Sequence, residues 1–149
     1  MPTEHLAWEI AETAHSVRRA FDRRALKLGV TRAQWRLMLR LSVSPLLRQV
    51  EVAELLDIEP ITLCRIVDRL EEAGLVERQR DPSDRRAWLL QLTTTAEPLL
   101  EKLRTIATEL SAEAFDGLEL AQIDALRSGL ARIRDNLSPS TETQNRVSA

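Results

Sequence analysis

The stretch Pro60-Ile-Thr-Leu-Cys-Arg-Ile-Val-Asp-Arg-Leu-Glu-Glu-Ala-Gly74-Leu-Val-Glu-Arg-Gln-Arg80-Asp-Pro-Ser-Asp-Arg-Arg86-Ala-Trp-Leu-Leu-Gln-Leu92 changes its hydrophobic period midway, and that change decides the fold. Before Gly74, the apolar residues Leu63, Ile66, Val67 and Leu70 recur at steps of three and four, which predicts an amphipathic helix over about 60–73. Pro60 suits the first helical turn, where an N–H has no intrahelical partner to lose. Gly74 tolerates the left-handed backbone that ends a helix. Beyond it the period falls to two. Leu75 to Arg80 and Ala87 to Leu92 read as strands, the second setting Trp88, Leu90 and Leu92 against Leu89 and Gln91. Asp81-Pro82-Ser83-Asp84 are turn formers, so the strands make a hairpin. Its polar tip is flanked by Arg78 and Arg80 on one side and by Arg85 and Arg86 on the other.

Working outward, residues 48–56 predict a short helix with Val52, Ala53, Leu55 and Leu56 inward, and Asp57-Ile58-Glu59 breaks it. Two short helices joined by a tight turn, the second carrying arginines, make a helix-turn-helix. Followed directly by a hairpin, this is a winged helix. The expected fold class is mainly α: a winged helix-turn-helix lobe over about 30–94 with a two-stranded β-hairpin wing, flanked by terminal helices. The lobe begins with a helix over about 32–43, holding Trp35, Met38, Leu39 and Leu41, capped by Thr31 and closed by Pro45. Residues 4–28 predict a long helix striped by Leu6, Ile10, Ala14, Val17, Phe21, Ala25 and Leu28, which Gly29 ends. After the hairpin, Thr93 to Thr95 offer a cap for a helix reaching about residue 115, and a last helix covers about 119–136. The polar tail over 138–149 is expected to be disordered. The whole chain reads as one domain.

The helices over about 4–28 and 95–137 are surplus to a winged helix, and their apolar stripes need cover. Folding back on their own core is one solution. A homodimer in which the end helices of two chains interdigitate is the other, and it would place two recognition helices about one DNA turn apart.

Net charge is −2 over 149 residues, which by itself argues against a nucleic-acid partner. The distribution argues otherwise. Residues 18–48 carry nine basic side chains against the single acid Asp22, whereas the chain beyond residue 95 is acidic. Nineteen of the 21 basic residues are arginine, which suits phosphate and bidentate base recognition, although codon bias produces the same ratio. A single cysteine excludes a disulfide framework and a cysteine-rich zinc site. No apolar run approaches the roughly 20 residues of a membrane span, and no signal-peptide core is present. The expectation is a cytoplasmic protein without membrane contact.

Catalysis finds little support. His5 and His15 have no histidine or cysteine partner three or four residues away, no glycine-rich phosphate loop exists, and Cys64 has no histidine nearby in sequence. The carboxylate pairs Glu71-Glu72 and Glu51 with Glu54 read as solvated helix faces. No cofactor and no metal are expected.

Ile61 to Arg78, continuing through Asp81-Pro-Ser-Asp-Arg-Arg86 to Leu92-Thr93, resembles the MarR family of bacterial transcriptional regulators. The matching features are a recognition helix, its glycine exit, a wing with an Asp-x-Arg element, and the Leu-Thr that opens a dimer helix. The order of helices agrees over about residues 5–137. The resemblance implies a homodimeric, ligand-responsive repressor that binds double-stranded DNA at a pseudo-palindrome. It implies that Arg86 enters a minor groove while Asp84 holds a wing arginine by a charge-assisted contact, with Arg85 beside them. Thr62, Cys64 and Arg65 fall where the family approaches bases or phosphates, and Arg69 lies one turn on. Arg69 has a second reading, an ion pair with Asp68 or Glu72. Cys64 departs from the Ser or Thr usual at its position, and a thiol is a poorer donor. Small aromatic or phenolic effectors are the family's usual ligands; Trp8, His15 and Trp35 are the candidate pocket residues. The competing reading is a non-catalytic winged-helix protein-interaction module without specific DNA binding.

Overall fold

The computed structural model describes residues 3–138. These fall into two compact units divided between Leu110 and Ser111, a boundary inside a helix. The predicted tail lies outside the described residues except for Ser138.

The first unit opens with α1 (Leu6–Leu26) and α2 (Arg32–Val43). Gly29 takes φ +74° between them, and Thr31 caps α2 as expected: its Oγ accepts the Gln34 N–H while the Gln34 side chain accepts the Thr31 N–H. A two-residue strand β1 (Leu47–Arg48) leads into α3 (Gln49–Leu56) and α4 (Pro60–Glu72). Asp57 turns the chain between α3 and α4 in the left-handed region at φ +53°. Strands β2 (Val76–Asp81) and β3 (Asp84–Leu92) form the predicted hairpin, and a 3₁₀ turn at Thr94–Ala96 precedes α5 (Glu97–Ala114).

Two features go beyond the expected two-stranded wing. The sheet has three strands in the order β1-β3-β2, with Leu47 opposite Leu90 and Arg48 opposite Leu89. Pairing also continues to Asp81 opposite Asp84, with an irregularity between Arg80 and Asp81, so only Pro82 and Ser83 turn the tip. Thr93 does not cap the following helix as expected. Its hydroxyl donates to the Gly74 carbonyl and its N–H to the Leu75 carbonyl, fastening the end of β3 to the exit of α4.

The core takes one face of each element: Leu37, Met38 and Leu41 of α2, Val52 and Leu56 of α3, Leu63, Val67 and Leu70 of α4, Val76 and Leu90 of the sheet, and Leu100 and Leu103 of α5. α1 adds Phe21 and Ala25 near its C-terminal end. Its N-terminal half contributes no buried side chain, and Leu6, Trp8 and Val17 stay exposed.

The second unit holds the end of α5 and α6 (Leu120–Asn136), separated by Gly117 at φ +81°. No residue of α6 is buried; Leu120 and Leu126 are exposed, and Ile123, Leu130 and Ile133 are half-covered. Phe115, Ile123, Leu126 and Leu130, with Ser111, Arg127 and Arg134, line an open groove of about 420 Å³.

Candidate nucleic-acid interface

A helix advances about 100° per residue, so Thr62, Arg65 and Arg69 fall within an arc of α4 about 60° wide, turned away from the Leu63–Val67–Leu70 core face. All three are exposed. Asp68, a possible helical partner for Arg69, turns instead to Arg78 at 2.7 Å, and no ion pair forms on Arg69 among the described residues. Cys64 does not share this arc. It is half-buried on the flank toward β2, where the Arg78 guanidinium donates to its carbonyl at 3.2 Å and lies 3.6 Å from its sulfur.

The wing is built by a chain of local contacts. Arg80 stacks over the Trp88 ring, 3.9 Å from its centroid, and donates to the Arg85 carbonyl at 2.8 Å. Cation–π stacking on this outer strand pair leaves the Arg85 and Arg86 side chains exposed at the tip. Asp84 acts differently from the charge-assisted side-chain contact expected of it: its Oδ1 accepts the backbone N–H of Arg86 at 3.0 Å. It shapes the turn that presents Arg86, and no Asp84–arginine ion pair forms among the described residues.

Sequence reasoning missed Asp81. Its carboxylate is buried, accepts the Ser83 N–H at 2.8 Å and pairs with Arg48 at 2.7 Å, joining the turn of the wing to the start of α3. It also took Glu71 and Glu51 for solvated carboxylates, yet Glu71 binds Arg78 and Glu51 accepts the Arg48 N–H. The Asp81–Arg48 link spans 33 residues, beyond any local spacing rule.

The basic segment on α1 and α2 is partly consumed internally. Asp22 receives Arg32 Nη2 at 2.5 Å and the Trp35 indole N–H at 2.8 Å. Arg36 is half-buried near Arg18, Arg32 and Arg40; burial and that repulsion push its pKa down, with Asp57 opposing.

The three candidate pocket residues do not converge within one chain. Trp35 packs on Phe21 with ring centroids 4.3 Å apart. Trp8 precedes Phe21 on α1 by about 20 Å of helix axis, and both Trp8 and His15 are exposed. Trp35 instead borders a shallow cleft of about 320 Å³ with Arg36, Leu39, Arg40, Val43, Leu55 and Leu56. Among the described residues, no three His, Cys, Asp or Glu side chains lie together as a metal site, and no helix is long and apolar enough to cross a membrane.

Two aspartates give the lobe a defined acid response. Burial raises the Asp22 pKa, but hydrogen bonds from Arg32 and Trp35 and the Arg32 and Arg18 charges outweigh it, holding the carboxyl below its ordinary 3.8. At Asp81 the Ser83 N–H lowers the pKa most, burial opposes it, and Arg48 adds to the lowering. A carboxyl depressed in the folded state stabilises fully above its unfolded pKa, and that stabilisation is lost as pH falls through the folded value. Thermal melts should therefore hold level at neutral pH and fall below about pH 4. Asp81→Asn and Asp22→Asn should lower stability at pH 7 and make the acid decline shallower; an unaltered decline in both would remove these carboxyls as its source.

A helix-turn-helix whose second helix exposes Thr62, Arg65 and Arg69, beside a hairpin exposing two arginines, defines a winged-helix protein of the DNA-binding kind. The MarR family model matches residues 30–88, the lobe itself. The chain is 32% identical to the transcriptional regulator PA3341, whose crystal structure superposes with a TM-score of 0.81 over 89% of this chain and 97% of that one. Wild-type apo MarR from E. coli is 25% identical, with a TM-score of 0.74 over 86% and 95% of the two chains. A mutant E. coli MarR complexed with operator DNA is likewise 25% identical, with a TM-score of 0.72 over 89% and 94%. The chain belongs to the MarR family, whose members are transcriptional regulators and not enzymes.

Proposed function

We propose that the chain is a sequence-specific DNA-binding repressor that works as a homodimer on a pseudo-palindromic operator. The observation that carries this reading is the shared exposure of Thr62, Arg65 and Arg69 on α4 with Arg85 and Arg86 on the wing. Recognition helices enter successive major grooves, where arginine reads guanine edges. Each wing enters a flanking minor groove through Arg86, with Asp84 fixing the backbone beneath it. Occupancy of a promoter then blocks polymerase.

The dimer reading rests on apolar surface. Leu6, Trp8 and Val17 of α1, and Leu120 and Leu126 of α6, stand exposed in the single chain. Burying such faces against a second copy gains about 25 cal/mol per Å². Family likeness adds a small aromatic or phenolic effector that weakens DNA binding by favouring one spacing of the recognition helices. Trp8, His15 and Trp35 could meet around one ligand only if a second chain brings its α1 to Trp35.

Selection of bound duplex from a random pool tests the reading. It should enrich two inverted half-sites whose centres lie about 10 base pairs apart. Enrichment of a single half-site would overturn the dimer, and no enrichment would leave the protein-interaction module standing.

A further inference from the structure

Arg78 occupies the inward face of β2 between Val76 and Arg80, opposite Leu90, where the period-two pattern calls for an apolar residue. Its side chain is only 12% exposed. A guanidinium in such a place must find acceptors, and it finds them along α4 and α3. Nη2 donates to the Asp68 carboxylate at 2.7 Å and to the Cys64 carbonyl at 3.2 Å. Nη1 donates to Glu71 Oε1 at 3.2 Å, and Nε to Gln49 Oε1 at 3.1 Å. The Arg78 backbone N–H donates to the second Glu71 oxygen at 3.1 Å. Burial works against the charged form, yet Asp68 and Glu71 more than offset it and raise the Arg78 pKa.

The geometry of these partners matters more than their number. Cys64, Asp68 and Glu71 are spaced at i, i+4 and i+7, so they lie along one line over two turns of α4. That line sits on the flank, its centre about 130° around the axis from the centre of the Thr62, Arg65 and Arg69 arc. Apolar packing of Leu63, Val67 and Leu70 holds α4 against the core but is non-directional. A planar fork gripping three successive positions of one flank resists both rotation and sliding.

We infer that Arg78 is a positioning residue for sequence recognition: it sets the rotation of α4 about its own axis, and through it the aim of Thr62, Arg65 and Arg69. This rests on the DNA-binding reading. It explains why an arginine flanking the wing is withheld from the surface, and it gives the thiol-bearing position 64 a role through its backbone carbonyl.

The test compares Arg78→Met with the wild-type chain by fluorescence anisotropy, using the duplex selected by the wild-type protein and a scrambled duplex of equal length. If Arg78 aims α4, the affinity for selected DNA falls about tenfold or more, the equivalent of one well-formed base contact. Scrambled-duplex affinity and the slope of log K against log salt stay unchanged, because no phosphate contact is lost. An unchanged ratio of selected to scrambled affinity overturns the inference. So does an equal loss on both duplexes with a shallower salt slope, which would make Arg78 a phosphate contact. If Arg78→Met does not fold, Asp68→Ala with Glu71→Ala removes both side-chain acceptors on α4, and the ratio of selected to scrambled affinity decides: a fall supports the inference and an unchanged ratio overturns it. A wild-type chain that selects no sequence overturns the DNA reading and this inference with it.

Discussion

Arg86→Ala should weaken binding to the selected operator by about 1–3 kcal/mol, with little change in the melting temperature. Arg86 is exposed at the wing, and no ion pair engages it among the described residues, so its removal costs the free protein almost nothing. Its backbone N–H stays bonded to Asp84, so the turn survives the substitution. A guanidinium in a narrow A·T minor groove meets concentrated negative potential, which an alanine methyl cannot replace. If the contact is specific, scrambled duplex loses less affinity than operator. If Arg86 touches only phosphate, both lose alike and the salt slope shrinks by about one. Arg132→Ala, exposed on the side of α6 away from the Ile123–Leu130 groove, serves as a charge-matched control and should bind normally. Unchanged operator affinity in Arg86→Ala would remove the wing from recognition while leaving the fold intact.

Leu63→Ala carries the largest expected loss of stability. Leu63 is fully buried at the N-terminal end of α4, in the cluster that includes Leu37, Val67 and Leu90. Truncating such a side chain loses its transfer free energy and leaves a cavity that the three-stranded sheet cannot close, together about 2–5 kcal/mol. For a chain of this size each kcal/mol lowers the melting temperature by about 2–4 °C. Two residues earlier, Ile61 is 65% exposed, so Ile61→Ala should fall within about 0.5 kcal/mol of wild type. Chemical denaturation of the pair is a direct measure of how α4 is rotated. Equal losses in both would mean that its inner face is misassigned.

The helices were legible because their information is local. Steps of three and four between apolar residues, a threonine cap at Thr31 and glycines at the helix exits placed α1, α2, α4 and α6 within two residues of where they lie. The hairpin was legible from the turn formers between two alternating runs. What escaped was non-local. Leu47 and Arg48 form a strand only because Leu90 and Leu89 offer a ladder edge. Thr93 could cap a helix or bind Gly74, and only the closing of the hairpin decides between them. Of the candidate site, sequence reasoning grouped Cys64 with Thr62 and Arg65, but Cys64 lies on the flank, and Thr62, Arg65 and Arg69 share the exposed arc. It gave Arg78 to the wing tip, although strict alternation puts that residue beside Val76 on the inward face. Asp84 and Asp81 illustrate the limit. Both sit at the turn, and only the fold shows that one shapes the backbone while the other anchors it to Arg48.

The Thr93 clasp has a mechanical consequence. By binding the Gly74 and Leu75 carbonyls, it turns the hairpin into a ring closed at its neck. Opening that starts at the tip first loses the Arg48–Asp81 pair and then the Arg78 grip on α4, and this closure keeps it from the last turn of that helix. The part of the wing beyond Arg78 can breathe or be cut at its tip while the helix that reads the bases keeps its seat. Compliance and reading are thus assigned to neighbouring parts of one lobe, with Arg78 and Thr93 marking the border between them.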